Sequence, residues 1–517
     1  MARPAIVFIG FMGAGKSTAL DAAGRAGLET TEIDELMAES FGKPIDQAFE
    51  EDGEDAFRAR ESEVVGALLE NADGGAIALG GGSILLDRVR RALPRHLVVW
   101  LQVDPAESWR RIAHSKRPLA TGEEDVRALL TARLPRYEEL ADAVVPMGDR
   151  DIVSRALPAV QALADLPAGV RMLWASSASG EYPIYVGSGL LAAAEAGWWP
   201  LEGRRFLVAD TTTAELYGER LGPMAGGDRT LYGEQTKTIE QAGRILESLA
   251  DAGMTREDHV VALGGGVAGD VGGFVAHVYQ RGVPVVHVPT TLVAQVDSAY
   301  GGKTGVDLPQ GKNYAGAYQL PAGVLADTTT LGTLPREELA AGFVEVLKTG
   351  LLAGGPLWER VRLIEDLDET ELDDVIFACA RFKCEVVAAD ERDGGWRHIL
   401  NLGHTVGHAI ETATSYERYR HGEAVGLGLL AALRLSEAPE LREETRAILV
   451  RHGLPVELEA PGDPAAFVDS ILAALQRDKK RTAAGVGFVL LAEPGQPEVG
   501  QLVDPGKVRA AVEELLP

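Results

Sequence analysis

Short apolar runs rich in β-branched residues alternate with longer stretches of Ala, Glu, Leu and Arg through the first third of the chain. The runs are Ala5–Ile9, Ala76–Leu79 and His96–Leu101. This rhythm predicts βαβ units, with a parallel sheet covered by helices. Periodicity is lost across 162–170 (ALADLPAGV) and restarts at Tyr182–Leu190. Strands are expected again at Arg205–Asp210, His259–Leu263 and Val283–Val288. Beyond Leu334 helical segments dominate, at Arg336–Leu352, Glu371–Asp390, Thr405–Thr412 and Ala424–Ser436. The pattern divides the chain into an α/β domain at 1–167 and a second domain at 176–517. The second begins α/β (176–332) and continues mostly helical (333–517).

Length and composition agree with more than one compact unit, since 517 residues exceed a domain of about 150 several times over. Hydrophobic residues make up 46% and charged residues 25%, the balance of a globular protein. The net charge of −27 disfavours nucleic acid as a partner, because phosphates would be repelled over most of the surface. An anionic substrate then needs local clusters of Lys and Arg. Cys379 and Cys384 are the two cysteines, too few for a disulfide framework, and a reducing, cytoplasmic setting is expected. The N-terminus reads as no signal peptide. The longest uncharged segment, Gly282–Val296, is too short for a bilayer, so no membrane partner is expected.

The sharpest motif is Gly10-Phe-Met-Gly-Ala-Gly-Lys16-Ser17, a G-x-x-x-x-G-K-S phosphate loop between an apolar run and a helix-compatible segment. Its glycines let successive N–H groups face phosphates, Lys16 reaches the outer phosphates, and the Ser17 hydroxyl offers a Mg²⁺ position. Glu32-Ile-Asp34, Phe57-Arg58, Gly80–Gly82, Arg110-Arg111, Lys116-Arg117-Pro118 and Arg133-Leu-Pro-Arg-Tyr137 follow in order. In that order and spacing the segment resembles shikimate kinase. The resemblance implies that Gly13, Ala14, Gly15, Lys16, Ser17 and Thr18 bind ATP. Arg110 would lie at the adenine, and Arg117 would sit on a lid over 113–123. It implies that Ser17 and Glu32 serve Mg²⁺, where the family usually carries Asp at the second position. Asp34 would hold the attacking hydroxyl, Arg58 and Arg133 the shikimate carboxylate, and Gly80, Gly81 and Gly82 would line its site. Lys16, Asp34 and Arg117 are the catalytic candidates.

In the second half, Leu263-Gly264-Gly265-Gly266-Val267-Ala268-Gly269-Asp270 follows an expected strand and formally matches G-x-G-x-x-G, a weak dinucleotide signal alone. His404 and His408 lie one helical turn apart, and His421 follows within a short loop. Spacing alone nominates all three as ligands of a metal such as Zn²⁺. Tyr279-Gln-Arg281, Pro289-Thr290-Thr291, Asp297-Ser-Ala-Tyr-Gly-Gly-Lys303, Gly311-Lys312-Asn313, Glu345-Val-Leu-Lys348, Asn401-Leu-Gly-His404 and His421-Gly-Glu423 complete an ordered series. That series resembles 3-dehydroquinate synthase over about 180–517.

This second resemblance implies an NAD- and metal-dependent cyclisation of the seven-carbon phosphate DAHP to 3-dehydroquinate, with loss of phosphate. It implies Glu345, His404 and His421 as ligands of Zn²⁺ or Co²⁺, with His408 left for substrate. Around NAD it implies Asp210, Glu234, Lys237, Gly265, Gly266, Val267, Asp270, Thr290, Thr291, Lys312 and Thr333. Around DAHP it implies Asp297, Lys303, Asn313, Lys348, Lys383, Arg397, Asn401, His408 and Lys480, with Arg281 reaching in from a partner subunit of a homodimer. Lys312, Lys348 and His408 are its catalytic candidates. The expected fold is thus a P-loop kinase domain with a parallel sheet, then an α/β NAD-binding part and a mostly helical metal-binding part. The expected activities are a kinase and a phosphorus–oxygen lyase of aromatic amino-acid biosynthesis. Two alternatives remain open: a related sugar-phosphate cyclase or polyol dehydrogenase in the second half, and a nucleotide-binding regulatory module without turnover in the first.

Overall fold

The computed structural model describes residues 3–113, 122–367, 369–476 and 486–517, with the side chains of 369–371 left out. Contacts divide the chain into two compact units, one of 1–175 with 183–185 and one of 176–182 with 186–517.

In the first unit parallel strands run in the order Thr30–Glu32, Ala76–Ala78, Ile6–Ile9, Leu97–Gln102 and Ala143–Pro146, with Arg171–Ser177 pairing beside the last. Ile6–Ile9 is buried along its whole length, as a central strand covered on both faces must be. Helices Lys16–Arg25, Glu54–Asn71, Glu123–Leu140 and Ile152–Ala162 accompany the sheet. Gly15 caps the first of these at φ 86°, a left-handed conformation in which a side chain would be strained.

The second unit holds five parallel strands in the order Gly323–Asp327, Val285–Pro289, His259–Gly264, Arg205–Asp210 and Gly226–Leu231. The chain leaves Arg205–Asp210 in one direction and returns to its other side at His259–Gly264. The strand order therefore reverses between Asp210 and Gly264, the place where parallel sheets open a crevice at their carboxyl ends. Val260, Ala262, Val271, Val275 and Ile245 pack the core between this sheet and helices Ile239–Asp251 and Gly266–Val278.

The rest of the unit is mainly helical, including Arg336–Ala353, Glu369–Ala389, His404–Ala413, His421–Leu435 and Pro439–Arg451. Two antiparallel hairpins depart from the sequence expectation: Lys303–Leu308 with Gly311–Tyr318, and Gly487–Leu491 with Pro497–Leu502. Among the described residues no helix is long and apolar enough to cross a membrane. Both cysteines are buried, which pushes their thiols up.

Two candidate active sites

In the first unit a cavity of about 820 Å³ opens at the carboxyl end of Ile6–Ile9. Gly13, Gly15, Lys16, Ser17, Thr18, Glu32, Asp34, Gly80, Gly81 and Arg110 line it, and Ala14 lies buried beneath the loop. The Lys16 ammonium donates to the carbonyls of Gly10 (2.9 Å) and Phe11 (3.1 Å), which curls the loop around its own lysine. Ser17 donates to Glu32 at 2.6 Å, setting two oxygens side by side where a hard cation would fit. Arg111, Asp149 and Arg150 also line the cavity; the sequence reading gave them no role. Arg111 donates to the Gly13 carbonyl at 3.0 Å and so braces the loop.

Arg58, Gly82 and Arg133 fall just outside the cavity wall. Arg133 is buried and donates to the Gly81 carbonyl at 3.0 Å, and its Nε has no partner. Arg58 pairs with the buried Glu61 at 2.6 Å, and a Cβ on Gly82 would stand 2.6 Å from its guanidinium. Glu61 also accepts from Ser83 at 2.6 Å. Sequence reasoning missed this carboxylate anchor, although Glu61 lies one turn from Arg58. Arg117 falls outside the described residues.

In the second unit three helices meet at Glu345, His404 and His421. Glu345 is 1% exposed. Its Oε1 lies 3.4 Å from His404 Nε2 and 3.6 Å from His421 Nε2. The Lys348 ammonium contacts Oε2, while Oε1 faces the two imidazoles, so Oε1 is the oxygen turned towards the space a cation would take. The approach depends on Gly422: a Cβ there would stand 1.8 Å from the Ala341 carbonyl, so only glycine lets helix His421–Leu435 press against Arg336–Ala353. Burial favours neutral imidazole at His421, yet Glu345 and Glu411 push its pKa up to about 10. The donor atoms of Glu345, His404 and His421 lie within 4.8 Å of one another, and this carboxylate and two imidazoles fit a transition metal. A second group, His408, Glu411 and His421, meets the same distance limit, and Glu411 was not among the expected residues.

Next to this triple lies a charge cluster in which the two lysines are buried and Asp297 half-buried. Lys348, 1% exposed, contacts Glu345 and stands 3.9 Å from Asp297, which also contacts Lys383. Burial favours the neutral acid at Asp297, but Lys383 and Lys348 pull its pKa down to about 2. Burial also favours neutral Lys348, but Glu345 and Asp297 raise its pKa and keep the ammonium charged.

Other expected residues spread around the cluster. Lys303 pairs with Asp393 at 2.6 Å, and His398 lies 3.7 Å from the same carboxylate; neither partner was foreseen. Asn401 donates to the His398 carbonyl at 3.1 Å. Arg397 is buried and gives its guanidinium to the carbonyls of Glu391 (2.6 Å) and Gly301 (3.1 Å), as a brace for both loops. Asn313 is exposed with φ 55° on the hairpin that carries Lys312. Arg281 is exposed beyond the far end of helix Gly266–Val278, and Lys480 lies outside the described residues.

At the strand-order reversal Asp210 caps the helix Thr211–Tyr217 by accepting from the Thr213 N–H at 2.9 Å. Gly265, Gly266 and Val267 start helix Gly266–Val278, and a Cβ on Gly265 would stand 3.0 Å from Thr291. The buried Thr290 hydroxyl has no partner, an open polar atom at the turn. Lys237 pairs with Asp270 at 2.5 Å, and Glu234 stands 3.7 Å from both Lys237 and Lys312. Thr333 exchanges a 2.6 Å hydrogen bond with Tyr217. The glycine turn, the helix N-terminus and the open hydroxyl fit a dinucleotide.

The 3-dehydroquinate synthase N-terminal and C-terminal family models match residues 230–341 and 342–481. The 3-dehydroquinate synthase of Symbiobacterium thermophilum is 42% identical over 354 residues, 65% of this chain and 98% of that protein. The chain belongs to the 3-dehydroquinate synthase family. The Pseudomonas putida synthase is 43% identical over 330 residues, 61% of this chain and 89% of its own. The shikimate kinase model matches residues 12–162, ahead of the synthase part. Among solved structures, 2-deoxy-scyllo-inosose synthase complexed with carbaglucose-6-phosphate, NAD⁺ and Co²⁺ aligns at TM-score 0.60 and 26% identity, covering 67% of this chain and all of that one. ValA, a 2-epi-5-epi-valiolone synthase from Streptomyces hygroscopicus with NAD⁺ and Zn²⁺ bound, aligns at 0.56 and 26%, covering 66% and 99%. The synthase part thus shares its fold with cyclases that hold a dinucleotide and a divalent metal.

Proposed function

We propose that the chain is a bifunctional enzyme of the shikimate pathway. Its first unit transfers a phosphoryl group from ATP to shikimate, and its second cyclises DAHP to 3-dehydroquinate with release of phosphate. One observation carries the second assignment: Glu345, His404 and His421 converge beside the Lys348–Asp297–Lys383 cluster, in the same unit as the Gly264–Gly266 turn. The phosphate loop with its Ser17–Glu32 pair carries the first.

In the kinase Lys16 neutralises phosphate charge, Asp34 takes the proton of the attacking hydroxyl, and Arg58 and Arg133 grip the carboxylate. Arg110 and Arg117 serve ATP, which arrives with Mg²⁺ near Ser17 and Glu32. In the synthase Glu345, His404 and His421 hold Zn²⁺ or Co²⁺. Asp210, Glu234, Lys237, Asp270, Thr290, Thr291 and Thr333 surround the dinucleotide, and Lys312 lies towards the substrate. When bound, NAD supplies a reversible hydride acceptor and the metal a Lewis acid that acidifies the substrate hydroxyl. Lys348, pinned between two carboxylates, stays charged and binds substrate oxygens together with Lys303, Lys383, Asn313 and Asn401. His408 moves a proton on the substrate. A homodimer through the synthase part would let Arg281 complete a neighbouring site, and a cytoplasmic enzyme is the matching setting.

The likeness to 2-deoxy-scyllo-inosose synthase favours one rival, a cyclase for an uncarboxylated sugar phosphate. The higher identity to 3-dehydroquinate synthases supports DAHP. Purified protein is assayed separately for phosphate release from DAHP, for turnover of glucose 6-phosphate, and for shikimate-dependent ADP formation. Activity on DAHP and shikimate is expected. Turnover of glucose 6-phosphate in place of DAHP overturns the synthase assignment, and no ADP formation overturns the kinase.

A further inference from the structure

Helix His404–Ala413 carries His404, His408 and Glu411 on one face, one turn apart in succession. Glu411 is 5% exposed. A carboxylate so far from water needs a partner, and Glu411 Oε1 lies 3.4 Å from His421 Nδ1. The other ring nitrogen of His421 faces Glu345 at 3.6 Å. His404 divides its nitrogens the same way, Nδ1 at 3.2 Å from the Leu402 carbonyl and Nε2 at 3.4 Å from Glu345. A neutral imidazole carries its proton on one nitrogen, and a ring that donates Nδ1–H presents a lone pair on Nε2. Each ring thus has an acceptor behind it and Glu345 before it.

The two rings differ in how firmly packing holds them. The His404 side chain is 10% exposed, whereas that of His421 is 41% exposed. Neighbouring atoms fix the first ring, while the second depends on its hydrogen bond for orientation.

We propose that Glu411 is a positioning residue of the metal site: it accepts the Nδ1–H of His421, fixing tautomer and ring direction so that Nε2 faces the cation. The proposal rests on the ligand set Glu345, His404 and His421. A carboxylate acceptor also raises the ligand's basicity, and loss of such a partner weakens metal affinity by about 10- to 100-fold. The rival arrangement makes Glu411 itself a ligand, with His408 and His421.

The test is zinc affinity of the full chain, measured by competition with a chromogenic chelator and accompanied by thermal melts of the metal-free forms. Glu411→Gln keeps an acceptor but loses the charge, and Glu411→Met loses both. We expect graded losses in affinity of about 10-fold and about 100-fold, with unchanged metal-free melts and with His408→Ala close to the parent. Unchanged affinity in Glu411→Met overturns the proposal. Equal losses in Glu411→Gln, Glu411→Met and His408→Ala overturn it in favour of Glu411 as a ligand. His404→Ala is the control: retention of zinc there overturns the ligand set itself, a failure distinct from that of Glu411.

Discussion

The first unit builds its site mainly from backbone around an open cavity, with Ser17 and Asp34 exposed to solvent and Lys16 half-buried. The second gathers opposed charges, the buried Glu345, Lys348 and Lys383 with the half-buried Asp297, beside two imidazoles. A phosphate loop can stay open because its ligand brings the charge and the cation, and the loop needs only N–H groups and one ammonium. A metal site that acidifies a hydroxyl needs its charges in place beforehand, in a low dielectric where each one is costly unless paired. The first design should tolerate changes that keep the loop's shape, whereas the second should fail when any member of the network is removed.

The sharpest way to break this contrast is His404→Ala. Removing one of three donors should abolish bound zinc and DAHP turnover together while shikimate-dependent ADP formation stays at the parent rate. Metal content by atomic emission and the two assays check it, and chelation of the parent protein should mimic it. Lys16→Ala is the mirror image: kinase turnover falls by about 10³-fold or more and cyclisation is unchanged, since the loop serves ATP alone. His408→Ala sharpens the comparison inside the synthase, where turnover should fall by about 10²-fold or more with roughly one zinc per chain retained. Loss of zinc in that folded variant would restore the three-histidine site.

Arg133→Lys should raise the KM for shikimate by about 10-fold or more with little change for ATP, because the charge remains but the forked donor is lost. Equal rises for both substrates would make Arg133 a brace for Gly81. The smallest effect is expected at Tyr416, whose ring lies 4.1 Å from the Lys312 ammonium. Tyr416→Leu should lower kcat/KM for DAHP by about 3- to 10-fold, and Tyr416→Phe should preserve it.

Legibility followed locality. The phosphate loop is contiguous, so its shape was written in eight consecutive residues. The strand and helix rhythm was equally plain, as at Arg205–Asp210 and in the helix found at Arg336–Ala353. The candidate metal triple was only half legible from spacing. His404 and His421 share a neighbourhood in sequence, but Glu345 sits on a distant helix that packing alone brings near, and only the family resemblance pointed to it. Glu411 was readable in principle as the next turn of the His404–His408 face, yet an acidic residue on a helix is usually a solvated charge. The hairpin at 303–318 was missed because Gly, Lys and Asn interrupt any alternation that would announce a strand, and the one at 487–502 because Gly and Pro do the same.

Glu345, His404 and His421 stand on three separate helices, and the unfolded chain has no comparable pocket. On this ligand set, the free energy of metal binding is added to the folding of one unit only. The chain should therefore have two melting behaviours, one set by zinc supply and one indifferent to it. In a metal-starved cell the synthase half would open to proteases first. Because both activities share one polypeptide, a shortage felt only by the cyclase would also set the lifetime of the kinase attached to it.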